Sequence, residues 1–259
     1  MKYNVLEEYK DFLKEKDLRP NTIKTYYNRM DGLLDNQYLI TTGNDVDLIR
    51  IFSNLSNIDY KNHFSQSKNA LTYFLECYQM ELTKEQEEMI RELEKSTKKK
   101  YRKLKTVEYK KMKAVIGRLK NKKLKRSYQV LMKTGLRVSE VSQIKANDCT
   151  IFNGTVQFSF VGKGGAREEA YICKVDSPRL YEDLKYTVEN SSSNEKLFYS
   201  ANYLQKKAKE YGFTCHDLRR AFAKAEYTRT KSKEQVKERL RHSKMKTTNL
   251  YLNSKVKMD

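Results

Sequence analysis

The apolar residues of this chain recur at helical spacing almost throughout, and they change to strict alternation in only one short region. Residues 155–161 alternate apolar and polar side chains, as a strand with one buried face does. A Gly-Lys-Gly-Gly turn follows at 162–165, and residues 169–173 can return as the partner strand of a hairpin. A chain with this pattern is mainly α-helical and carries one small antiparallel sheet.

The first part of the chain carries five helical patterns. Their apolar side chains repeat every three to four residues, and Pro20 interrupts the periodicity between the first two. The predicted helices cover residues 2–16, 21–34, 45–55, 65–80 and 83–94. We therefore expect residues 1–94 to form a small all-helical domain.

A dense positive run, KSTKKKYRK at residues 95–103, then interrupts the apolar periodicity. Such a run is a solvated connector in many proteins, and it can also lie along a phosphate backbone. Both interpretations stay open. We assign residues 95–104 as a basic linker and residues 105–259 as a second domain, since 259 residues suffice for two.

The charge of the chain is strongly unbalanced. Lys and Arg number 53 against 33 Asp and Glu, which gives a formal net charge of +20 and a pI near 9.6. Nucleic acid is the partner that best fits this excess, because neutralised phosphates release counterions. A generic basic excess and an anionic membrane are the alternatives, and no basic amphipathic helix with bulky apolar anchors supports the membrane.

Cysteine spacing and the chain start bear on the compartment. The four cysteines are far apart and form no C-x-x-C pair, so neither a zinc site nor a disulfide framework is predicted. Charged residues stand where a signal peptide needs an apolar core, and no apolar run approaches transmembrane length. We expect a cytoplasmic protein in a reducing environment.

The most informative stretch begins with Thr214 and Asp217, which have the spacing of a capping box and predict a helix start. His216 and Arg219 would share one face near that start. Unpaired backbone N–H groups and the helix dipole favour an anion there, and a guanidinium fork fits phosphate oxygens. The stretch therefore indicates a site for a phosphodiester.

Other candidates surround this helix in the sequence. Gly135 supplies a left-handed stop to a helix, and Arg137 begins the next helical turn. Lys163 is displayed at the hairpin tip. His242 closes a later helical pattern, and Tyr251 lies nine residues beyond it, where a short turn could fold the phenol back.

These motifs occur in a recognisable order: TGLRVSE at 134–140, GKG at 162–164, HDLR at 216–219, then His242 and Tyr251. The combination resembles the tyrosine recombinase (phage integrase) family over about residues 104–255, and the helical first part resembles that family's core-binding domain. The resemblance implies a mainly α fold with a helical N-terminal core-binding domain and an α+β catalytic domain with a small antiparallel sheet.

The resemblance also implies a chemistry. Tyr251 would attack a DNA phosphodiester and leave a 3′-phosphotyrosyl bond and a free 5′-hydroxyl, while Arg137 and Arg219 grip the non-bridging oxygens. A free phenol has a pKa of about 10 and needs a base or local positive charge to react at neutral pH. Two guanidiniums supply that charge and stabilise the transition state, so neither a metal nor a cofactor is expected.

Three further residues complete the implied site. Lys163 would protonate the leaving 5′-oxygen, His216 would assist proton transfer at the nucleophile, and His242 would hydrogen-bond the phosphate. Glu140 buttresses Arg137 or the helix start. Each residue alone is weak evidence, since the chain has 19 tyrosines and 53 basic residues, but their joint order and spacing favour the functional interpretation.

Two positions depart from the family pattern. Arg220 follows Arg219 where the family often has histidine, and Arg241 precedes His242 where glycine is common. The turn at Arg241 is therefore left open. Residues 252–259 follow Tyr251, so the tail that members of this family often pack on a neighbouring subunit is expected to be very short here.

The expected function is site-specific cutting and rejoining of double-stranded DNA by a homotetramer on two duplexes, through a Holliday junction. No membrane partner is expected. An accessory DNA-bending factor and the setting (phage, transposon or chromosome-dimer resolution) stay open. Two alternatives remain. A type IB topoisomerase would relax supercoils as a monomer, and a non-catalytic DNA-binding protein on the same fold would have lost a catalytic residue, which this sequence has not.

Overall fold

The chain divides into two compact units, Met1–Lys103 and Leu104–Asp259. A computed structural model describes residues 3–35, 39–40, 46–98, 106–162 and 165–258. The predicted linker, residues 95–104, spans the division, and its residues 99–104 lie outside the described ranges. Lys163 lies outside them as well. No helix in the described part of the chain has the length and apolar character that crossing a membrane requires.

The first unit is built mainly from helices, and each of the five predicted ones is confirmed. Helix α4 begins four residues earlier than predicted, because Phe64 extends its buried face. Residue 45, the predicted start of α3, lies outside the described residues. The elements are β1 (Tyr3–Asn4), α1 (Val5–Glu15), α2 (Pro20–Leu34), β2 (Leu39–Ile40), α3 (Leu48–Ser56), α4 (Lys61–Cys77) and α5 (Lys84–Ser96).

Helix α1 docks on α4 through the core of this unit. The Tyr9 hydroxyl donates a hydrogen bond to the Ala70 carbonyl at 2.8 Å, and the Tyr9 ring meets the Phe74 ring edge-on at 5.5 Å between centroids. The buried phenol thus has a hydrogen-bond acceptor, because the carbonyl of a helical residue keeps a second lone pair that the helix does not use. This pairing joins residues 61 positions apart in the sequence.

The second unit places helices around a small sheet. Its elements are β3 (Val107–Glu108), α6 (Tyr109–Arg118), α7 (Lys122–Thr134), α8 (Val138–Val141), β4 (Cys149–Phe152), β5 (Thr155–Val161), β6 (Arg167–Cys173), α9 (Pro178–Glu189), α10 (Ala201–Glu210), α11 (Cys215–Thr230), α12 (Lys233–Arg239), α13 (Met245–Leu252) and β7 (Val256–Lys257). A 3₁₀ helix (Ala146–Asp148) precedes β4.

The predicted hairpin is confirmed as β5 and β6, which pair antiparallel with Phe160 opposite Glu168. Strand β4 adds a third antiparallel strand, in the order β4-β5-β6. The sequence did not predict β4, because four residues are too few to display an alternating pattern. The predicted class, mainly α with a small antiparallel sheet, is confirmed.

The end of the chain is held against the body of the second unit. Strand β7 pairs in parallel with β3, with Val256 opposite Val107. The Lys224 ammonium on α11 donates to the carbonyls of Ser254 and Val256, both at 2.7 Å. These bonds fix the segment that follows Tyr251 and thereby limit how far α13 can move.

Helix α7 ends at Gly135, as predicted, with φ at +63° and its N–H bonded to the Leu131 carbonyl at 3.1 Å. An added Cβ at Gly135 would lie 2.3 Å from Cδ1 of the buried Phe222 ring. Glycine is therefore required twice, by the left-handed backbone and by the close approach of α11. The chain leaves this turn directly into Arg137.

We expect Gly135→Ala to lower the free energy of unfolding of the second unit by about 2–4 kcal/mol, from backbone strain and overpacking. Gly117→Ala is the matched control, because an added Cβ there meets no described atom within 4 Å. That change should stabilise helix α6 by about 0.5–1 kcal/mol. Chemical denaturation measures both, and equal effects of the two substitutions would contradict the account.

Candidate active site

The predicted capping box at the start of α11 is confirmed. Thr214 Oγ1 accepts from the Asp217 N–H at 3.2 Å, and Asp217 Oδ2 accepts from the Thr214 N–H at 2.9 Å. This start fixes the rotation of the helix. His216 in the first turn reaches the surface, whereas Arg219 in the next turn is only 1% exposed.

The guanidinium of Arg219 joins two turns of the chain. Its Nη1 donates to the carbonyl of Gly135, and its Nη2 donates to the carbonyl of Leu240. Burial and the neighbouring Arg137 lower the pKa of Arg219 to about 10, so the group stays charged at neutral pH. Its Nε is buried and has no hydrogen-bond partner among the residues described.

Glu140 holds the first of these turns, and its predicted buttressing of Arg137 is confirmed. Its carboxylate is 4% exposed and accepts from the Arg137 N–H at 2.7 Å and from Arg137 Nη1 at 2.6 Å. Nη1 of Arg219 lies 4.0 Å from the same carboxylate. One buried carboxylate therefore orients two arginines. Its several contacts with them offset the cost of removing its charge from water.

Helix α12 ends in a Schellman turn at Arg241. The Arg241 N–H bonds to the Glu238 carbonyl at 2.8 Å, and the His242 N–H bonds to the Lys237 carbonyl at 3.0 Å. The φ of Arg241 is +54°, the left-handed conformation in which glycine is usual. The open question of this turn is thereby answered, because an arginine adopts the glycine-like backbone.

This turn directs His242 at Tyr251. The His242 ring is 7% exposed, its Nδ1 lies 3.0 Å from Thr248 Oγ1, and it meets the Tyr251 ring edge-on at 4.9 Å. The sequence did not single out Thr248. Its hydroxyl reaches His242 across a turn, and neither spacing nor composition signals such a contact.

The Tyr251 side chain is the meeting point of the site. Its hydroxyl lies 3.4 Å from Nδ1 of His216. The guanidinium carbons of Arg219 and Arg220 lie 6.0 and 5.9 Å from its ring centroid. Arg220 is held in place by Asp217, 2.8 Å from its Nη1. In the sequence, Arg220 stood out only as a departure from the family pattern, although an acid three residues before an arginine signals such a pair.

Both histidines favour the neutral form. Partial desolvation and the charges of Arg220 and Arg219 lower the pKa of His216, although its side chain reaches the surface. Burial, followed by the charges of Arg219 and Arg137, lowers the pKa of His242 to about 4. At neutral pH each ring therefore has one nitrogen free to accept a proton or a hydrogen bond.

Five of the six predicted site residues lie together in the second unit, connected by the contacts above: Arg137, His216, Arg219, His242 and Tyr251. The sixth, Lys163, lies outside the described residues. Over the described ranges, no group of three or more His, Cys, Asp or Glu side chains is arranged to hold a metal ion. The assembled groups can surround a phosphate with cations and deliver or accept protons.

The buried neutral His242 predicts a pH dependence of stability. The pKa of His242 is about 4 in the folded state and 6.5 in the unfolded state. Between these two pH values the unfolded chain binds a proton at this residue and the native state does not. Stability present above pH 6.5 is therefore lost as the pH falls towards 4. Between pH 7 and pH 4.5 this residue should account for a loss of about 2–3 kcal/mol.

Chemical denaturation of the unmodified protein and of His242→Asn at the two pH values measures this contribution. The variant should lose less stability on acidification by the stated amount. His63→Asn, at an exposed position of the first unit, is the comparison; partial burial and the charge of Arg29 also lower the pKa of His63, but its exposure makes its contribution smaller, so this variant should lose more stability on acidification than His242→Asn. Equal losses in all three proteins would show that His242 is not held neutral.

Comparison with known proteins agrees with this geometry. A family model described as the phage integrase family matches residues 81–258, which is more than half of the chain. No curated protein matches the chain significantly in sequence.

Solved structures share the fold. A lambda integrase dimer bound to a COC′ core site has a TM-score of 0.64 at 15% identity, over 98% of this chain and 96% of that one. The XerH site-specific recombinase bound to difH substrate has a TM-score of 0.62 at 17% identity, over 96% and 82%. The Tn1549 transposon integrase in complex with transposon right end DNA has 0.61 at 13%, over 97% and 95%. The chain belongs to the phage integrase family, and it is a tyrosine recombinase.

Proposed function

We propose that this protein cuts and rejoins duplex DNA at specific sites, with Tyr251 as the nucleophile. The phenolic oxygen attacks the scissile phosphorus, the bond to the 5′-oxygen breaks, and a 3′-phosphotyrosyl linkage forms. The observation that carries this proposal is the Tyr251 hydroxyl 3.4 Å from His216 Nδ1, beside two guanidiniums. Tyrosine at such a place has both a proton acceptor and cations for its developing charge.

His216 accepts the tyrosine proton. A neutral imidazole is required for that step, and the lowered pKa of His216 keeps it neutral at physiological pH. At 3.4 Å this contact is long for a hydrogen bond, and the proton transfer requires the two groups to move closer together. Arg220 and Arg219 then stabilise the phenolate character of the oxygen as it approaches phosphorus.

Arg137 and Arg219 hold the non-bridging oxygens of the phosphate. Both are already oriented by Glu140, so little reorganisation is needed when charge builds up in the transition state. His242 adds a neutral hydrogen bond. If its Nδ1 accepts from Thr248, its Nε2 carries the proton and donates to a phosphate oxygen.

Lys163 acts as the general acid. As the phosphorus bond to the 5′-oxygen breaks, the lysine ammonium transfers a proton to that oxygen, and a free 5′-hydroxyl leaves. The phosphotyrosyl bond conserves the energy of the phosphodiester. A 5′-hydroxyl of another strand can therefore attack it, release Tyr251 and seal the DNA without a nucleotide cofactor or a metal.

The partner is double-stranded DNA, which the net charge of +20 favours. Solved relatives of this fold include an integrase dimer on a core site and a recombinase on its difH substrate. We propose that residues 1–94 serve as the core-binding domain and residues 105–259 as the catalytic domain. Four copies would pair two duplexes and pass through a Holliday junction in the cytoplasm, with an accessory DNA-bending factor as a further partner.

The test is a suicide substrate whose nick lets the cleaved 5′-end diffuse away, so that the covalent complex accumulates. We expect the unmodified protein to form that complex equally with and without a metal chelator. Tyr251→Phe should form none and should still bind the DNA. Tyr186→Phe, an exposed tyrosine on α9, is the matched control and should react normally. An undiminished yield with Tyr251→Phe would remove Tyr251 from the role.

A further inference from the structure

The turn that carries His242 contacts the hairpin through the side chain of Arg241. Nε of Arg241 lies 3.0 Å from Glu168 Oε2 on β6, and its guanidinium carbon lies 5.2 Å from the Phe160 ring centroid on β5. Nη1 lies 3.5 Å from the Glu169 carbonyl. Since Phe160 and Glu168 face each other across the ladder, one guanidinium spans both strands.

This contact is charged and largely enclosed, but its hydrogen bonding is incomplete. The Arg241 side chain is 15% exposed. Its Nε and Nη2 and the Glu168 Oε2 are buried without a hydrogen-bond partner in the described part of the molecule. Charge attraction and the cation over the Phe160 ring therefore hold the contact. A buried pair of this kind adds little to folding stability, because desolvation offsets most of the attraction.

The backbone of Arg241 adds to that cost. Its left-handed φ of +54° suits glycine, and an arginine there is strained. The left-handed backbone alone is not a sign of function, since Lys231 adopts φ +56° at the end of α11. An arginine that is both unfavourable for its turn and poorly paired in the interior requires another explanation than stability.

The hairpin side of the contact is equally specific. The Glu168 carboxylate folds against Gly162, where an added Cβ would lie 2.5 Å from Oε1. The Gly162 N–H also bonds to the Ala166 carbonyl at 2.8 Å. Glu168 therefore links Arg241 to Gly162, which directly follows β5, and the residue after Gly162 in the sequence is Lys163.

We propose that Arg241 and Glu168 are positioning residues. They fix the base of the β5–β6 hairpin against the His242 turn and so keep the general acid of the hairpin in position to protonate the leaving 5′-oxygen. This inference rests on the proposed role of Lys163 as the general acid. Neither residue touches the reacting atoms. A general acid loses efficiency when its carrier shifts by even an ångström, and the contact limits that shift.

The test compares two cleavable DNAs in single-turnover reactions on the suicide substrate. One has the natural 5′-oxygen at the scissile bond, and the other has a bridging 5′-sulfur. A thiolate leaves without being protonated, since a thiol has a pKa of about 8.5. A reduction of the cleavage rate that arises at the general acid should therefore disappear with the sulfur substrate. A reduction that arises at the nucleophile or in phosphate binding should persist.

Arg241→Gly removes the side chain and gives the turn its preferred residue, so the variant should fold. We expect it and Glu168→Gln to cleave the oxygen substrate about ten- to a hundredfold more slowly, and the sulfur substrate at nearly the unmodified rate. The double variant should be no slower than the slower single one, because both remove one contact. DNA affinity should stay within about twofold, as no phosphate contact is lost.

Lys231→Gly is the matched control. It also replaces a cation with glycine at a left-handed helix end, with φ at +56°, but its side chain is exposed. This variant should cleave both substrates normally. An Arg241→Gly defect that persists with the sulfur substrate, or a normal rate for Glu168→Gln with the oxygen substrate, would overturn the proposal.

Lys163→Ala separates this proposal from the proposed function. A sulfur substrate should rescue Lys163→Ala if that lysine is the general acid. Failure of that rescue would remove Lys163 from the role and the positioning proposal with it. Rescue of Lys163→Ala without rescue of Arg241→Gly would leave the proposed function intact and reject the positioning role alone.

Discussion

The second unit depends on one buried guanidinium. Arg219 donates to the carbonyl of Gly135 at the end of α7 and to the carbonyl of Leu240 at the end of α12. Two residues beyond each carbonyl stands a side chain of the site, Arg137 after the first turn and His242 after the second. A planar fork with fixed donor directions can join two carbonyls in this way, whereas a lysine ammonium has no fixed geometry. The same cation lies beside the Tyr251 ring, so the group that organises the site is also part of it.

Positive charge is concentrated at the site around Arg219. Burial and the charge of Arg137 lower the pKa of Arg219, and Glu140 is the buried carboxylate that offsets part of the repulsion between these two arginines. Burial, together with the charges of these arginines, lowers the pKa of both histidines and favours their neutral form. A phosphodiester would relieve the repulsion, and the largest relief would come when the transition state carries more negative charge. The bonding of Glu140 to these arginines and the affinity of the site for a phosphoryl transition state thus have a common electrostatic origin.

Much of this arrangement was predictable from the sequence. Helical periodicity identified the five helices of the first unit, the alternation at 155–161 identified the hairpin, and capping chemistry placed the start of α11. What could not be predicted depends on contacts between distant segments. The sequence around Arg219 does not indicate that its partners are the carbonyls of Gly135 and Leu240, because every residue has a backbone carbonyl. Strand β7 and the contact between Thr248 and His242 likewise have no sequence signal. Arg241 could be recognised only as an arginine in a position where glycine is common.

The role of Arg219 as the link between two turns is tested most directly by amide hydrogen exchange on Arg219→Lys. The account predicts faster exchange at the N–H groups of Arg137 and His242, since lysine cannot hold both carbonyls, and unchanged exchange over residues 3–35 and 46–98. Arg229→Lys, an exposed position on the same helix, should alter neither turn. Unchanged protection of both N–H groups in Arg219→Lys would contradict the claim that this guanidinium assembles the site.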